Sequence, residues 1–148
     1  MKKLLPTVLF TAIIICMMNI QATSQTSDDT TLIKNACLDY LEGWYTGNAE
    51  RMDKALHPNL VKRRIATLPQ TGGQLIDQVS AGNMVEYTKA GFGKAQAEEG
   101  QTSDIVIHHI YKGIATVTAT SKDYVDYIHI GKIGDNWKII NVLWESRK

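Results

Sequence analysis

Asp126 is the residue of this sequence whose setting most suggests chemistry. If Tyr124–Ile133 is a β-strand, alternation places Asp126 on one face with Tyr124, Ile128 and Ile130. A carboxylate among apolar neighbours needs a partner, because burying an unpaired charge is costly. Asp126 is therefore either a structural acceptor for a backbone amide, a tyrosine hydroxyl or an arginine, or it lines a cavity as a ligand contact or general base.

Two further candidates are histidines. His57 is predicted to end a short helix, where it is either a helix-end residue or a group that contacts a ligand. Alternation along Asp104–Tyr111 predicts that His109 faces inward with the isoleucines and that His108 faces outward. Neighbours on opposite faces make a poor metal pair, and no other His, Cys or carboxylate spacing has the form of a metal site. The sequence predicts no metal and no cofactor.

Tyr40 and Trp44 lie one helical turn apart and are core residues or residues that present a polar tip to a ligand. Cys37 shares their face and is predicted to be a buried thiol, since the sequence shows no base beside it. The predicted ligand-binding residues are Tyr40, Trp44, His57, His109 and Asp126. No residue is predicted to be catalytic.

Three helices must position these groups. The first begins at Ser27 or Asp28 and carries an apolar stripe at spacings of three and four, and Gly47 ends it. Asn48 caps a shorter second helix that His57-Pro58 stops. Ser80 caps a third, Ala81–Ala90. The stripe of the first helix consists of Ile33, Ala36, Cys37, Tyr40, Leu41, Trp44 and Tyr45.

The remaining segments are predicted strands. Asn59–Ile65 is expected at a sheet edge, and Leu75–Val79 is a return strand or part of a helix. From Asp104 onward the period changes to two, which predicts a four-strand meander over Asp104–Tyr111, Ile114–Thr120, Tyr124–Ile133 and Trp137–Glu145. In its second strand the apolar set at 115, 117 and 119 should face the helices, and the threonines the other side. The order of elements predicts an α+β fold, with three N-terminal helices packed on a curved antiparallel sheet.

The N-terminus has the pattern of an export signal. Lys2 and Lys3 precede the apolar stretch Leu4–Ile20, and Ala22 is the expected last residue of a signal peptide over residues 1–22. We expect a linker over 23–27, a single domain over 28–148, and a periplasmic or secreted protein. Two alternatives stay open: an uncleaved membrane anchor, and lipidation at Cys16.

Composition restricts the partners. The chain has 148 residues, enough for one domain with a core, and 44% of them are hydrophobic. Of its 16 basic residues two lie in the predicted leader, which leaves 14 against 15 acidic ones. This balance disfavours nucleic-acid binding. A membrane contact is expected only through the N-terminal segment, if it is uncleaved.

Three segments together carry a family likeness: DYLEGWYTGNAERMDKALHPNLVKRR, SAGNMVEYTKAG and DYVDYIHIGKIGDNWKIINVLWE. They resemble the branch of the NTF2-like superfamily known as "putative lumazine-binding", over about Asp28 to Glu145. The resemblance implies a cone-shaped α+β fold with a cavity between helices and sheet, and a homodimer through the sheet face. The superfamily includes dehydratases, ketosteroid isomerases and non-catalytic binding proteins, and its enzymes place an Asp, often with His or Tyr, in the cavity.

Three functions follow as hypotheses. The first is a non-catalytic exported domain that binds a small, partly apolar molecule. The second is an isomerase or dehydratase in which Asp126 or His109 abstracts a proton and Tyr40 or His57 stabilises the oxyanion. The third is an interaction module that uses the Thr-rich outer face of the sheet. We favour the first.

Overall fold

The computed structural model describes residues 28–97 and 103–147. The predicted signal peptide, the linker over 23–27 and Cys16 lie outside them. Residues 28–32 are helical and belong to a first unit, Met1–Leu32, whereas Ile33–Lys148 form a second compact unit. The packing described below concerns the second unit.

The helices form where the apolar spacing and the capping residues predict them. Helix α1 covers residues 28–46, and Gly47 follows with a φ of 69°, a conformation that glycine adopts without strain. Helix α2 is Ala49–Ala55, and the Asn48 side chain accepts a hydrogen bond from the backbone N–H of Arg51 at 3.0 Å. Helix α3 is Ala81–Lys89, capped in the same way by Ser80, and a 3₁₀ turn covers Lys94–Gln96.

Six strands form one curved, open sheet against which the helices pack. The strands are β1 Leu56–Thr67, β2 Gln74–Ser80, β3 Asp104–Tyr111, β4 Ile114–Thr120, β5 Tyr124–Ile133 and β6 Asn136–Ser146, in the order β2-β1-β6-β5-β4-β3. All neighbours are antiparallel except β1 and β6, which run parallel. The α+β class is confirmed.

Two expectations about the sheet were wrong. The sheet is mixed rather than antiparallel, because β1 and β6 are parallel. Asn59–Ile65 does not lie at an edge, because β1 is paired on both sides; the edge is formed by β2, so Leu75–Val79 is a strand. Both errors come from the pairing of β1 with β6, which joins segments far apart in the sequence.

A β-bulge changes the direction of one predicted site residue. The register of β3 against β4 shifts between Ile107 and His109, so that His109 lies opposite Thr116 and Ile110 opposite Ala115. His109 is exposed and Ile110 is half-buried. The expectation that His109 faces inward was therefore wrong, since an extra residue in a strand reverses the alternation beyond it.

The core lies between the helices and the inner face of the sheet. The inner face of β4 carries Ala115, Val117 and Ala119, all at most 5% exposed, and its threonines are on the other side, as predicted. From α1 the buried side chains include Ile33, Cys37 and Leu41. No helix within the described ranges is long and apolar enough to cross a membrane.

The outer face of the sheet keeps several large apolar side chains exposed. One cross-strand row runs from Val106 through Thr118, Tyr127 and Leu143 to Arg63. In this row Val106 is 43%, Tyr127 61% and Leu143 50% exposed. We call these five residues the outer row.

Candidate functional site

A buried polar cluster made of Tyr40, Lys62 and Asp126 lies where α1 crosses the sheet. The Lys62 ammonium donates hydrogen bonds to the Tyr40 hydroxyl oxygen at 2.6 Å and to Asp126 Oδ1. The Tyr40 hydroxyl donates to the same Asp126 oxygen at 3.2 Å. All three residues are at most 8% exposed. Asp126 thus has the structural partners that its sequence setting required, a tyrosine hydroxyl and a cation, but the cation is a lysine rather than an arginine.

Strand register brings the cluster together. Lys62 of β1 lies opposite Val142 of β6, and Asp126 of β5 lies opposite Trp144, which is also in β6. All four side chains lie on the inner face of the sheet. The Lys62 ammonium also lies 4.7 Å from the centre of the Trp144 ring, a cation–π contact. Two neighbouring strands and one helix therefore fix the lysine from three directions.

Burial governs the protonation of the cluster. It lowers the pKa of Lys62, against the opposing charge and hydrogen bond of Asp126. It also raises the pKa of Tyr40 well above its usual value, and the Asp126 charge adds to that rise. Tyr40 is therefore a neutral hydroxyl that both donates and accepts. Nearby, Cys37 is buried as predicted, and burial raises the pKa of its thiol to about 12.

The cluster forms part of the wall of a cavity of about 400 Å³. Seven of the 17 residues that line it are aromatic, namely Tyr40, Trp44, Tyr45, Tyr87, Tyr124, Trp144 and the exposed Phe92. Tyr87 and Phe92 stack at 5.3 Å, and Tyr124 meets Trp144 edge-on at 5.2 Å. The arrangement offers ring faces around a small polar group, which is the usual composition of a small-molecule site.

Several other polar groups of the cavity wall bond to one another. Arg64 Nε donates to Asp77 Oδ2 at 3.0 Å, and the Tyr124 hydroxyl donates to Gln96 Oε1 at 2.7 Å. The Tyr45 hydroxyl donates to Ser121 Oγ at 2.9 Å. Both cations of the wall, Lys62 and Arg64, thus have a carboxylate partner.

The structure brings three of the five predicted site residues together. Tyr40, Trp44 and Asp126 line the cavity, whereas His57 and His109 do not. His57 is the second residue of β1, and its Nδ1 accepts from the backbone N–H of Asn59 at 3.1 Å. His109 lies on the outer face for the reason given above.

Lys62 is the site residue that sequence reasoning missed. Within Lys62-Arg63-Arg64 it resembles one of several solvated charges. The signal that could have found it is alternation with the apolar Leu60, which places Leu60 and Lys62 on one face of β1, and both are buried. Across the described ranges, no group of three or more His, Cys, Asp or Glu side chains could hold a metal ion.

Comparisons with known proteins agree with this architecture. A family model described as "Putative lumazine-binding" matches residues 28–145. No protein of curated function matches the chain.

Solved structures with the same fold are distant in sequence. An NTF2-like protein of unknown function from Silicibacter pomeroyi superposes with a TM-score of 0.62 at 12% identity, over 82% of this chain and 98% of the other. A protein described as a putative scytalone dehydratase, from Novosphingobium aromaticivorans, gives 0.56 at 12% identity, over 85% and 89%. A ketosteroid isomerase-like protein from Erwinia carotovora gives 0.54 at 12%, over 80% and 95%. At such identities the likeness shows the fold alone.

Proposed function

The chain belongs to the family described as "Putative lumazine-binding", with an NTF2-like fold, and we propose that it binds a small, partly apolar molecule in its cavity. The observation that carries the proposal is a cavity of about 400 Å³ whose wall combines seven aromatic residues with a buried polar cluster. Ligand sites in proteins usually measure roughly 300–1,000 Å³ and combine apolar walls with a few fixed polar groups. The cavity meets both conditions.

The bonding of Asp126 favours binding over catalysis. A general base has to take up a proton, and a buried cation bonded to its carboxylate opposes that uptake. Asp126 is ion-paired with Lys62 and accepts from Tyr40, and neither His57 nor His109 lines the cavity to take over a role. The isomerase or dehydratase alternative thus loses its central residue, and we do not extend the proposal to it.

Native mass spectrometry of the protein purified from its own host tests the proposal. We expect the purified protein to retain a small molecule. In a second step the protein is titrated with lumazine, the compound that the family description names. A Val79→Trp variant should abolish retention, because residue 79 lines the cavity and an indole there would obstruct the ligand. Ile76→Trp is the matched control, since it adds the same side chain to the same strand at a position that is 66% exposed. Equal retention by both variants would contradict the proposal.

We also propose that the chain is exported. Support comes from Lys2, Lys3 and the apolar stretch Leu4–Ile20, which have the order of a signal peptide. Protein recovered from the extracytoplasmic fraction should begin at Thr23, as read by N-terminal sequencing. Recovery of the full-length chain from the cytoplasm would refute export, and full-length chain in the membrane fraction would indicate an uncleaved anchor.

A third proposal concerns assembly: two copies pair through the outer row. Its support is that three of the five side chains of this row, Val106, Tyr127 and Leu143, are large, apolar and exposed, and exposed apolar patches often mark contact surfaces between proteins. Light scattering coupled to size exclusion should give twice the monomer mass for the wild type and the monomer mass for Tyr127→Lys/Leu143→Lys. Leu75→Lys, at an exposed residue near the end of the β1–β2 hairpin, should stay dimeric. A wild type that is monomeric at micromolar concentration would rule this pairing out.

A further inference from the structure

The polar cluster has one unused donor and one unused acceptor. A lysine ammonium has three N–H donors, and Lys62 uses two of them, on Tyr40 and Asp126. Both hydrogen bonds to Asp126 end on Oδ1, and over residues 28–97 and 103–147 none ends on Oδ2. Both side chains line the cavity. The cluster therefore offers a donor and an acceptor that its own members leave free.

We infer that Lys62 and Asp126 recognise the edge of an uncharged planar ring compound in which a carbonyl stands next to an N–H, as in a cyclic amide. The third N–H of Lys62 donates to the carbonyl oxygen, and Asp126 Oδ2 accepts from the ring N–H. Since Lys62 Nζ is bonded to Oδ1, the free Oδ2 lies only one carboxylate width away. That spacing suits two neighbouring atoms of one ring. This inference rests on the proposed small-molecule function and specifies its ligand class.

The charges of the cavity wall favour an uncharged ligand. Lys62 is paired with Asp126, and Arg64 with Asp77 at 3.0 Å. An anion would have to displace one of these carboxylates or lie beside it and be repelled. A cation would likewise have to displace the lysine or the arginine or be repelled by it. A neutral amide edge satisfies the free groups and leaves both ion pairs intact.

The apolar part of the wall favours a flat ring. Aromatic side chains contact flat ligands through stacked or edge-on arrangements, and seven such side chains line the cavity. At about 400 Å³ the cavity has room for a fused two-ring compound. The tyrosines also supply hydroxyl groups at its border, so a second polar edge of the ligand would not be left in an apolar setting.

Calorimetric titration with three matched probes tests the inference on the full chain. The probes are 2-quinolone, which has the carbonyl beside an N–H, its N-methyl derivative, which lacks the N–H, and quinoline, which lacks the carbonyl as well. We expect the affinity to fall by about tenfold for the N-methyl derivative and further for quinoline, because a buried acceptor left without a donor is costly. Equal affinities for all three would overturn the inference and leave the proposed function standing.

Variants locate the preference in the cluster. Asp126→Asn should reduce the ratio of affinities for 2-quinolone and its N-methyl derivative at least fivefold, and Lys62→Arg should weaken 2-quinolone more than quinoline. Asp77→Asn is the control, since it changes a carboxylate of the same cavity wall outside the cluster, and it should keep the wild-type ratio. If Asp126→Asn keeps that ratio too, the assignment is wrong. If no probe binds while the protein from its host retains another molecule, the ligand class is wrong; if nothing is retained either, the proposed function fails with it.

Discussion

Lys62 and Asp126 place opposite charges inside the protein, and each is tolerated only because the other is there. The exposed fraction of the two side chains is 10% and 2%. Removing both charges from water costs several kcal/mol per ion, and their attraction and hydrogen bonds offset much of this cost. Such a pair contributes little net stability, yet it makes the loss of one partner severe.

Replacing Lys62 by methionine tests this dependence. We expect Lys62→Met to lower the free energy of unfolding by about 3–5 kcal/mol, because Asp126 then keeps an uncompensated buried charge. Lys62→Met/Asp126→Asn should recover at least half of the loss. Lys54→Met is the control, since Lys54 pairs with Asp39 at 2.9 Å but is 73% exposed, and it should cost under about 1 kcal/mol. Urea unfolding measures all three, and equal losses for Lys62→Met and Lys54→Met would contradict the expectation.

Gly93 is a second residue with a specific demand. A Cβ at this position would lie 2.4 Å from the carbonyl oxygen of Trp44 and 2.5 Å from its ring, so the backbone of residue 93 rests directly on that residue. The Trp44 indole Nε1 is buried there without a hydrogen-bond partner among the described residues. The close approach therefore fixes one wall of the cavity.

Gly93→Ala should force Trp44 to move, and we expect a loss of about 1–3 kcal/mol in unfolding free energy, together with weaker ligand binding. Gly82→Ala is the matched control. A Cβ there meets nothing within 4 Å, and the position lies in α3, so alanine should be neutral or stabilise by up to about 1 kcal/mol. Thermal unfolding followed by tryptophan fluorescence separates the two, and a neutral Gly93→Ala would show that the contact can relax.

At the scale of elements, α1 and α2 are joined by a small ion-pair network. Asp39 of α1 accepts from Arg51 Nε and Lys54 Nζ of α2, each at 2.9 Å. Burial raises the pKa of Asp39, but the hydrogen bonds and charges of Lys54 and Arg51 outweigh it and hold the pKa below the usual 3.8. The network orients the short α2, which leads directly into β1 and thus towards Lys62.

The lowered pKa predicts a pH dependence. Well above 3.8 the Asp39 carboxylate is charged in both states, and its ion pairs stabilise the fold fully. Below 3.8 the unfolded chain takes up the proton first, so this contribution falls as pH drops through the lower folded pKa. The difference in unfolding free energy between wild type and Asp39→Asn should therefore shrink in acid. Arg51→Met/Lys54→Met should abolish that trend, and an undiminished difference in acid would contradict it.

The helices and strands also differ in how well the sequence predicts them. Helical spacing and caps gave α1 to α3 because those signals are local. Alternation gave the faces of β4 and β5, including Asp126, but it failed at His109, because a bulge is not visible in the pattern. Lys62 was missed because its burial depends on β6, about 80 residues away, and on a tyrosine in α1. The cavity arises from contacts between distant segments, which periodicity does not report.

At the scale of the whole molecule, ligand binding and folding are linked. The cavity is built from α1, β1, β2, α3, β5 and β6, so a ligand bound there contacts most of the fold at once. A ligand that binds only the folded state adds about 2.7 kcal/mol of stability at a hundredfold excess over its Kd. We expect the thermal midpoint to rise by several degrees with the retained molecule or a binding probe. Val79→Trp should show no rise, and a rise of equal size in that variant would place binding elsewhere.

The position of β6 in the sheet has a consequence for biosynthesis. β6 lies between β1 and β5, so it alone connects the early hairpin of β1 and β2 to the meander of β3, β4 and β5. β6 is the last of the six strands to be synthesised. Until it emerges from the ribosome, β1 lacks its inner neighbour, and Lys62 is separated from the part of the sheet that carries Asp126. A nascent chain stalled before residue 136 should thus present two separate half-sheets to chaperones and proteases, and should close in one late step when Asn136–Ser146 becomes available.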